Sequence, residues 1–298
     1  MTERVKFVGV NSITFNRQFT GDEDCLAYLS SLKWAKGFVC KRCKNEKYCE
    51  GKKPYNRRCT KCRYEESPTA GTMFDKVKFS LLKAFHIAFK ISTKKKGMSS
   101  LELSKEFELR QKTCWEFKWK IQQAMASSFQ YPLEGLVHVD EFMIGGPEEQ
   151  KRGRTKGLKK LIVIALEILD TGVGRAYAEV IENASSKELG GFLKRYVSQD
   201  AKIISDKWRG YIPLKADFKK FEQVLSADGK NFKDIDIHIM NIKSWLRGIH
   251  HHCSKQRMQG YLNEYHFRFN RRQNMGTTFD LLIKRMVKNE PIRLISIN

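Results

Sequence analysis

The chain is 298 residues long and carries 56 Lys and Arg against 33 Asp and Glu, a formal charge of +23. Hydrophobic residues make up 41%, enough for packed cores, so wholesale disorder is excluded, and the length gives room for about two domains of ~100–200 residues. So basic a chain points to a polyanionic partner, with nucleic acid the first expectation, and no run approaches the ~18 apolar residues of a membrane span. The opening MTERVKFVGVNS has no signal-peptide apolar core, so an intracellular, cytoplasmic location is expected. There, eight cysteines read as metal ligands or free thiols rather than disulfides.

Within residues 1–70, a helical pattern around Asp24–Leu32 precedes Cys40-Lys-Arg-Cys43, a polar hairpin, and Cys59-Thr-Lys-Cys62. Four thiolates in two such pairs suit one structural, tetrahedral zinc ion in a ribbon over about 36–66. Lys41, Arg42, Arg57 and Arg58 lie on and around the knuckles, interleaved with Tyr48, Tyr55 and Tyr64, a pattern that favours a ribbon facing DNA. Cys49 is expected as a free thiol, and Cys25, Cys114 and Cys253 as packing residues.

Residues 71–130 are helical in pattern. Phe79, Leu82, Phe85, Ile87 and Phe89 predict one helix, ended by Lys94–Gly97. Ser99 or Ser100 caps a second, with Glu102 close behind. After a break near Leu109–Lys112, a third helix over Thr113–Met125 carries Trp115, Trp119, Lys118 and Lys120. Two short helices joined by a tight turn look like a helix-turn-helix, which makes Lys118 and Lys120 candidate DNA contacts; a helical linker is the competing reading.

Tyr131-Pro132 marks a boundary, after which strands are predicted over Gly135–Met143, Lys160–Leu169 and Gly174–Ile181. A helix over Ser185–Val197 capped by Ser186, a strand over Ala201–Ser205, a short helix over Trp208–Leu214, a weak strand over Phe221–Leu225, and helices over Ile235–Gly248 and Lys255–Arg268 complete an α/β order. Asp140 closes the apolar stretch from Val137, and Asp206 closes Ile203–Ser205. A carboxylate at the end of a buried strand is costly unless paired or bound to a cation, and two of them in so basic a chain point to phosphodiester chemistry with divalent metal. A third acid is expected from a C-terminal helix. Asp236 and Lys243 are two helical turns apart and share a face, whereas Asn241 points about 140° away from Asp236; Asp236 is therefore the preferred ligand, Lys243 a phosphate contact, and Asn241 the fallback. Arg268, Arg271 and Arg272 are further candidate phosphate contacts, and the His250–His252 run beside Cys253 reads as a loop after a helix ending at Gly248.

Taken together, these pieces resemble the insertion-sequence DDE transposases of the IS1595 (ISXO2-like) family. The resemblance rests on the four-cysteine ribbon, Val139-Asp-Glu-Phe-Met-Ile-Gly-Gly146, Gly153-Arg-Thr-Lys-Gly-Leu-Lys-Lys160 and Ser205-Asp-Lys-Trp-Arg-Gly-Tyr211. It extends through Asn241-Ile-Lys-Ser-Trp-Leu-Arg-Gly-Ile-His-His251 and Tyr261-Leu-Asn-Glu-Tyr-His-Phe-Arg-Phe-Asn-Arg-Arg272. It implies an RNase H-like catalytic domain over 131–285, followed by a tail over 286–298, with Asp140 and Asp206 as ligands of magnesium or manganese. The family's third position varies, with a Lys seven residues on; counting back from Lys243 gives Asp236. The implied protein is a bacterial, nucleoid-associated transposase that binds the inverted repeats and the target as double-stranded DNA, works with two catalytic metal ions and assembles as a homo-oligomer. An inactive zinc-ribbon regulator and a structure-specific nuclease are the competing readings.

Overall fold

A computed structural model describes residues 6–145, 159–250 and 253–292. In chain order the elements are α1 (Ser12–Gln18), α2 (Asp22–Lys33), β1 (Tyr48–Glu50), β2 (Arg57–Cys59), β3 (Glu65–Glu66), α3 (Leu81–Thr93), α4 (Ser100–Phe107) and α5 (Gln111–Ala124). There follow β4 (Leu136–Ile144), β5 (Lys160–Leu169), β6 (Gly172–Ile181), α6 (Ser186–Tyr196), β7 (Lys202–Ser205), β8 (Lys220–Gln223), α7 (Lys233–Ile249), α8 (Lys255–Phe269) and α9 (Thr278–Lys288). The chain forms two compact units, Met1–Met125 with Arg271–Asn298, and Ala126–Asn270. No described helix is long and apolar enough to cross a membrane.

The first unit is built on aromatic packing. Phe7, Phe15, Phe19 and Tyr28 meet Phe85 and Phe89 of α3 and Phe279 of α9, mostly edge to face at 4.3–6.3 Å. The Tyr28 hydroxyl donates to Asp280 at 2.6 Å and accepts from the Phe7 N–H, which gives the buried Asp280 a partner besides Lys284. Residues 271–285, expected in the catalytic domain, thus pack with the helices of this unit instead: the face of α9 carrying Phe279, Leu282, Ile283 and Met286 is buried there. The capping box at α4 is as expected, with Ser99 accepting from the Glu102 N–H and Glu102 accepting from the Ser99 N–H. Glu108, left-handed at φ 50°, ends α4 before α5 begins. The short α1 was not legible in the sequence; Asn11 caps it and Phe15 is its buried residue.

The second unit holds a five-stranded sheet in the order β6-β5-β4-β7-β8. β4, β5 and β6 form an antiparallel meander, and β7 and β8 run parallel to β4. Helix α6 covers one face, where Leu189, Phe192 and Leu193 pack on Val137, Val139, Ala165 and Ile203. Helices α7 and α8 cover the other, where Ile235, Ile239, Ile242, Met258 and Leu262 pack on Phe142, Ile162, Ile164 and Leu166. This is the expected RNase H-like arrangement. It explains why β5 reads as an apolar run from Leu161 to Leu166, interrupted at Glu167, since a central strand covered on both faces has no polar side to show. The free edge of β6 is occupied by side chains of α8 and its cap. Gln259 accepts from the Val180 N–H and donates to the Ala178 carbonyl, and Asn270 does the same for both backbone groups of Ala176.

Several boundaries differ from expectation. β4 continues to Ile144, so Asp140 sits mid-strand, and β6 begins at Gly172. Ser185, not Ser186, caps α6. The segment after Asp206 winds as a 3-10 helix over Arg209–Ala216, since Pro213 cannot donate to a longer one. α7 passes through Gly248 and ends at His250, whose ring stacks on Tyr261 at 4.1 Å. His251, His252 and residues 153–158 of the Gly153–Lys160 stretch lie outside the described residues.

Candidate active site and metal centre

The parallel register pairs Val137 with Ile203, His138 with Ile204 and Val139 with Ser205. Side-by-side residues of a parallel ladder share a face. Asp140 and Asp206 each follow the last pair, so both continue the row of His138 and Ile204, on the side that α7 covers. Asp206 is held where it leaves β7. Its carboxylate accepts from the Trp208 N–H at 3.0 Å, and the Gln223 amide donates to the carbonyls of both Asp206 and Trp208. Sequence reasoning missed Gln223, because only the pairing of Ser205 with Gln223 across β7 and β8 brings it there.

The neighbouring acids act electrostatically on Asp140. Burial pushes the Asp140 carboxyl up to about 7, and the charges of Glu141, Asp206 and Asp236 push the same way, against the Glu141 N–H that donates to it. Glu141 belongs to the opposite face, where burial first and its charge second hold Tyr211 well above the usual tyrosine range. Asp236, in the first turn of α7, is raised by burial and lowered by Lys243 two turns on. The Lys243 ammonium lies 5.5 Å from the Phe142 ring centroid. Asn241 is exposed on α7. His138 is lowered by burial, with the charge of Asp234 opposing, and its ring packs 5.5 Å from Phe232. A buried carboxyl raised by the charges of neighbouring acids belongs to a hard-oxygen set whose repulsion a divalent cation relieves, so the donor chemistry fits a hard divalent metal ion. The set is open. Among the described residues, the group of three or more candidate ligands whose donor atoms all lie within 4.8 Å of one another is Cys40, Cys43, Cys59 and Cys62.

Those four cysteines come from two matching knuckles. Each Cys-x-x-Cys is followed by a left-handed residue, Lys44 at φ 61° and Arg63 at φ 61°, and each closes through a bond to the first cysteine's carbonyl. Cys40 and Cys62 approach to 3.5 Å between sulfurs, as do Cys43 and Cys59. A zinc tetrahedron with Zn–S bonds of about 2.3 Å has edges of about 3.8 Å, so the four sulfurs fit one ion. Burial opposes the Cys59 thiolate, but the N–H groups of Cys62 and Lys61 and the Asn45 amide outweigh it and bring its pKa down to about 6. The strands β1-β2-β3 form the ribbon's antiparallel sheet.

Residues 132–270 match the ISXO2-like transposase domain, and residues 20–65 match the transposase zinc-ribbon domain. The chain belongs to the IS1595 transposase family. Among solved structures, a pre-cleavage Mos1 transpososome is 10% identical, with 66% of this chain and 76% of that one covered at a TM-score of 0.28. A Mos1 transposase paired-end complex with the left transposon end is 11% identical, covering 62% and 75% at 0.23. No curated protein matches the chain.

In this IS1595-family chain the candidate DNA contacts divide by exposure. Lys41 and Arg42 are exposed, Lys41 with an ion pair to Glu66 at 3.1 Å. Arg57 lies between rings, 4.5 Å from Trp34 and 4.0 Å from Tyr48, and so is committed to packing within the ribbon. Arg58 is half-buried and interacts with the Cys49 thiol. Lys120 is half-buried, Arg271 likewise, and Arg272 is exposed. Two expectations need correction. Lys118 is 3% exposed and its ammonium donates to the Met98 carbonyl, and Arg268 is 5% exposed and paired with the fully buried Glu264 at 2.7 Å. Neither cation faces solvent, so neither is offered to a phosphate.

Proposed function

We propose that this chain binds the terminal inverted repeats of its own insertion sequence, cuts at their ends and joins the freed strand to target DNA. The observation that carries this reading is the placement of Asp140 and Asp206 in one row of adjacent strands, with the charge of Asp236 reaching Asp140. In this reading Asp140, Asp206 and Asp236 hold divalent magnesium or manganese. The bound ions would supply Lewis-acid stabilisation to an in-line displacement at phosphorus. The chain's own contributions are positional. The Gln223 clamp and the Trp208 N–H fix Asp206 as it leaves the sheet. The first turn of α7 brings Asp236 to the face that carries Asp140, and Lys243, two turns on, is the cation available to a phosphate of the cut strand. Exposed Lys41 and Arg42 of the zinc ribbon hold the duplex without reading its sequence.

The test is a strand-transfer assay with labelled element ends in magnesium. Wild type is expected to nick the ends, leave a 3′-hydroxyl and join it to target. Asp206→Asn is expected to bind the ends as wild type does and to cut none of them. Tight binding by wild type without any nicking would replace this reading with that of a DNA-binding regulator.

A further inference from the structure

Residues 36–66 carry eleven Lys and Arg against four Glu, and the hairpin joining β1 to β2 projects part of that charge on an unusually constrained tip. Its turn is Lys53-Pro54-Tyr55-Asn56, closed by the Asn56 N–H donating to the Lys53 carbonyl at 3.1 Å. Proline at the first central position suits such a turn. The second central residue is left-handed, at φ 62°, and is tyrosine, where a type II turn asks for glycine or asparagine. The turn is braced from beneath by Glu65 of β3. Its carboxylate accepts from the Lys52 N–H at 3.0 Å and from the Asn56 amide at 2.7 Å. Gly51 closes the same contact, since a Cβ there would lie 2.6 Å from Asn56 and 2.7 Å from Glu65. At the apex Lys52, Lys53, Pro54 and Tyr55 are all exposed, and neither lysine forms an ion pair with a described residue.

A bulky residue kept in a left-handed turn costs stability, and such strain persists where the side chain is needed. The Tyr55 ring makes no use of its strain inside the ribbon: it is 41% exposed. We infer that the braced β1–β2 tip is a contact for double-stranded DNA, with Lys52 and Lys53 on backbone phosphates and the Tyr55 ring against the groove between them. This rests on the DNA-binding reading above and assigns a part of that interface which the knuckle residues Lys41 and Arg42 do not cover. The tip would add affinity without sequence preference, because phosphates carry no base information.

The test uses the full, zinc-loaded chain and two labelled duplexes, one taken from the DNA flanking the gene and one of random sequence, with anisotropy read across a salt series. Lys52→Ala/Lys53→Ala is expected to bind both duplexes more weakly by the same factor, with a log–log salt slope shallower by about 2, one per lost phosphate contact. Tyr55→Gly is expected to move two readouts in opposite directions: weaker DNA binding and a higher midpoint of thermal unfolding, as the strained residue is relieved. Zinc content should stay at wild-type level in both. If both variants match a wild type that binds duplex, in affinity and in slope, the tip has no such role. Weaker binding of Tyr55→Gly with a lowered unfolding midpoint would also overturn it, since simple damage would then explain the loss. Tighter wild-type binding to RNA of the same sequence, undone by the tip variants, would reassign the tip to another nucleic acid. A wild type that binds no duplex overturns the DNA reading itself, and the tip's role with it.

Discussion

Asp140 is the residue whose environment is most at odds with its charge. Its folded pKa of about 7 lies above the 3.8 of a free carboxyl, so its burial costs folding free energy that builds as pH rises from the unfolded value and is fully present above about 7. That cost is relieved as pH falls through the folded value toward the unfolded one. Asp140→Asn is therefore expected to raise the unfolding midpoint of the metal-free protein at pH 8 by more than at pH 5, while abolishing cutting. Calorimetry at the two pH values checks this, and an equal or negative change at pH 8 contradicts the buried acid cluster. Asp236→Ala and Asn241→Ala separate the two candidates for the third ligand: the first is expected to lose cutting and the second to retain it. Lys118 makes a different point. Substituting Met removes the donor to the buried Met98 carbonyl and is expected to cost about 1–3 kcal/mol of stability. Chemical denaturation measures that, and the salt slope of DNA binding should not change, because the ammonium faces inward.

Elements show why part of this molecule could be read from sequence. β5 is legible because a strand buried on both faces is apolar on both, as residues 161–166 are, and α4 because Ser99 and Glu102 spell its cap. The zinc knuckles are legible because two ligands per turn need fixed spacing, and Cys40→Ser is expected to lower bound zinc below one ion per chain by metal analysis and to weaken DNA binding. Asp236 and Lys243 were legible together through helical periodicity. What failed was whatever depends on distant partners. α1 buries a single residue, Phe15, and so has no stripe to detect. Lys118 and Arg268 read as surface cations, because nothing local announces a Met98 carbonyl or a Glu264 carboxylate waiting beneath. α9 has a clear apolar face, but no local signal says that it returns to the N-terminal helices. The amide contacts of α8 on β6 belong to the same class. Gln259→Ala and Asn270→Ala are each expected to speed hydrogen exchange of the facing amide, Val180 and Ala176 respectively, as read by NMR.

For the molecule as a whole, charge is the feature that bears on the proposed binding of DNA. A chain of +23 that neutralises 6–10 phosphates is expected to lose about 10³–10⁵ in affinity between 50 and 200 mM salt, with the loss shared by specific and random duplexes. Filter binding over that range checks it, and a flat response would mean that the positive charge is not spent on phosphates. In the proposed reading two copies meet on the two ends of one element, and here the carboxamides lying along β6 set a boundary. Gln259 and Asn270 already hold the N–H groups of Val180 and Ala176 and the carbonyls of Ala178 and Ala176, so a neighbour's strand would have to displace those amides to pair there. Easier extension of this sheet is left to its other edge, the short strand β8. In the proposed reading, copies that met through side chains instead would separate after strand joining without tearing a shared backbone ladder.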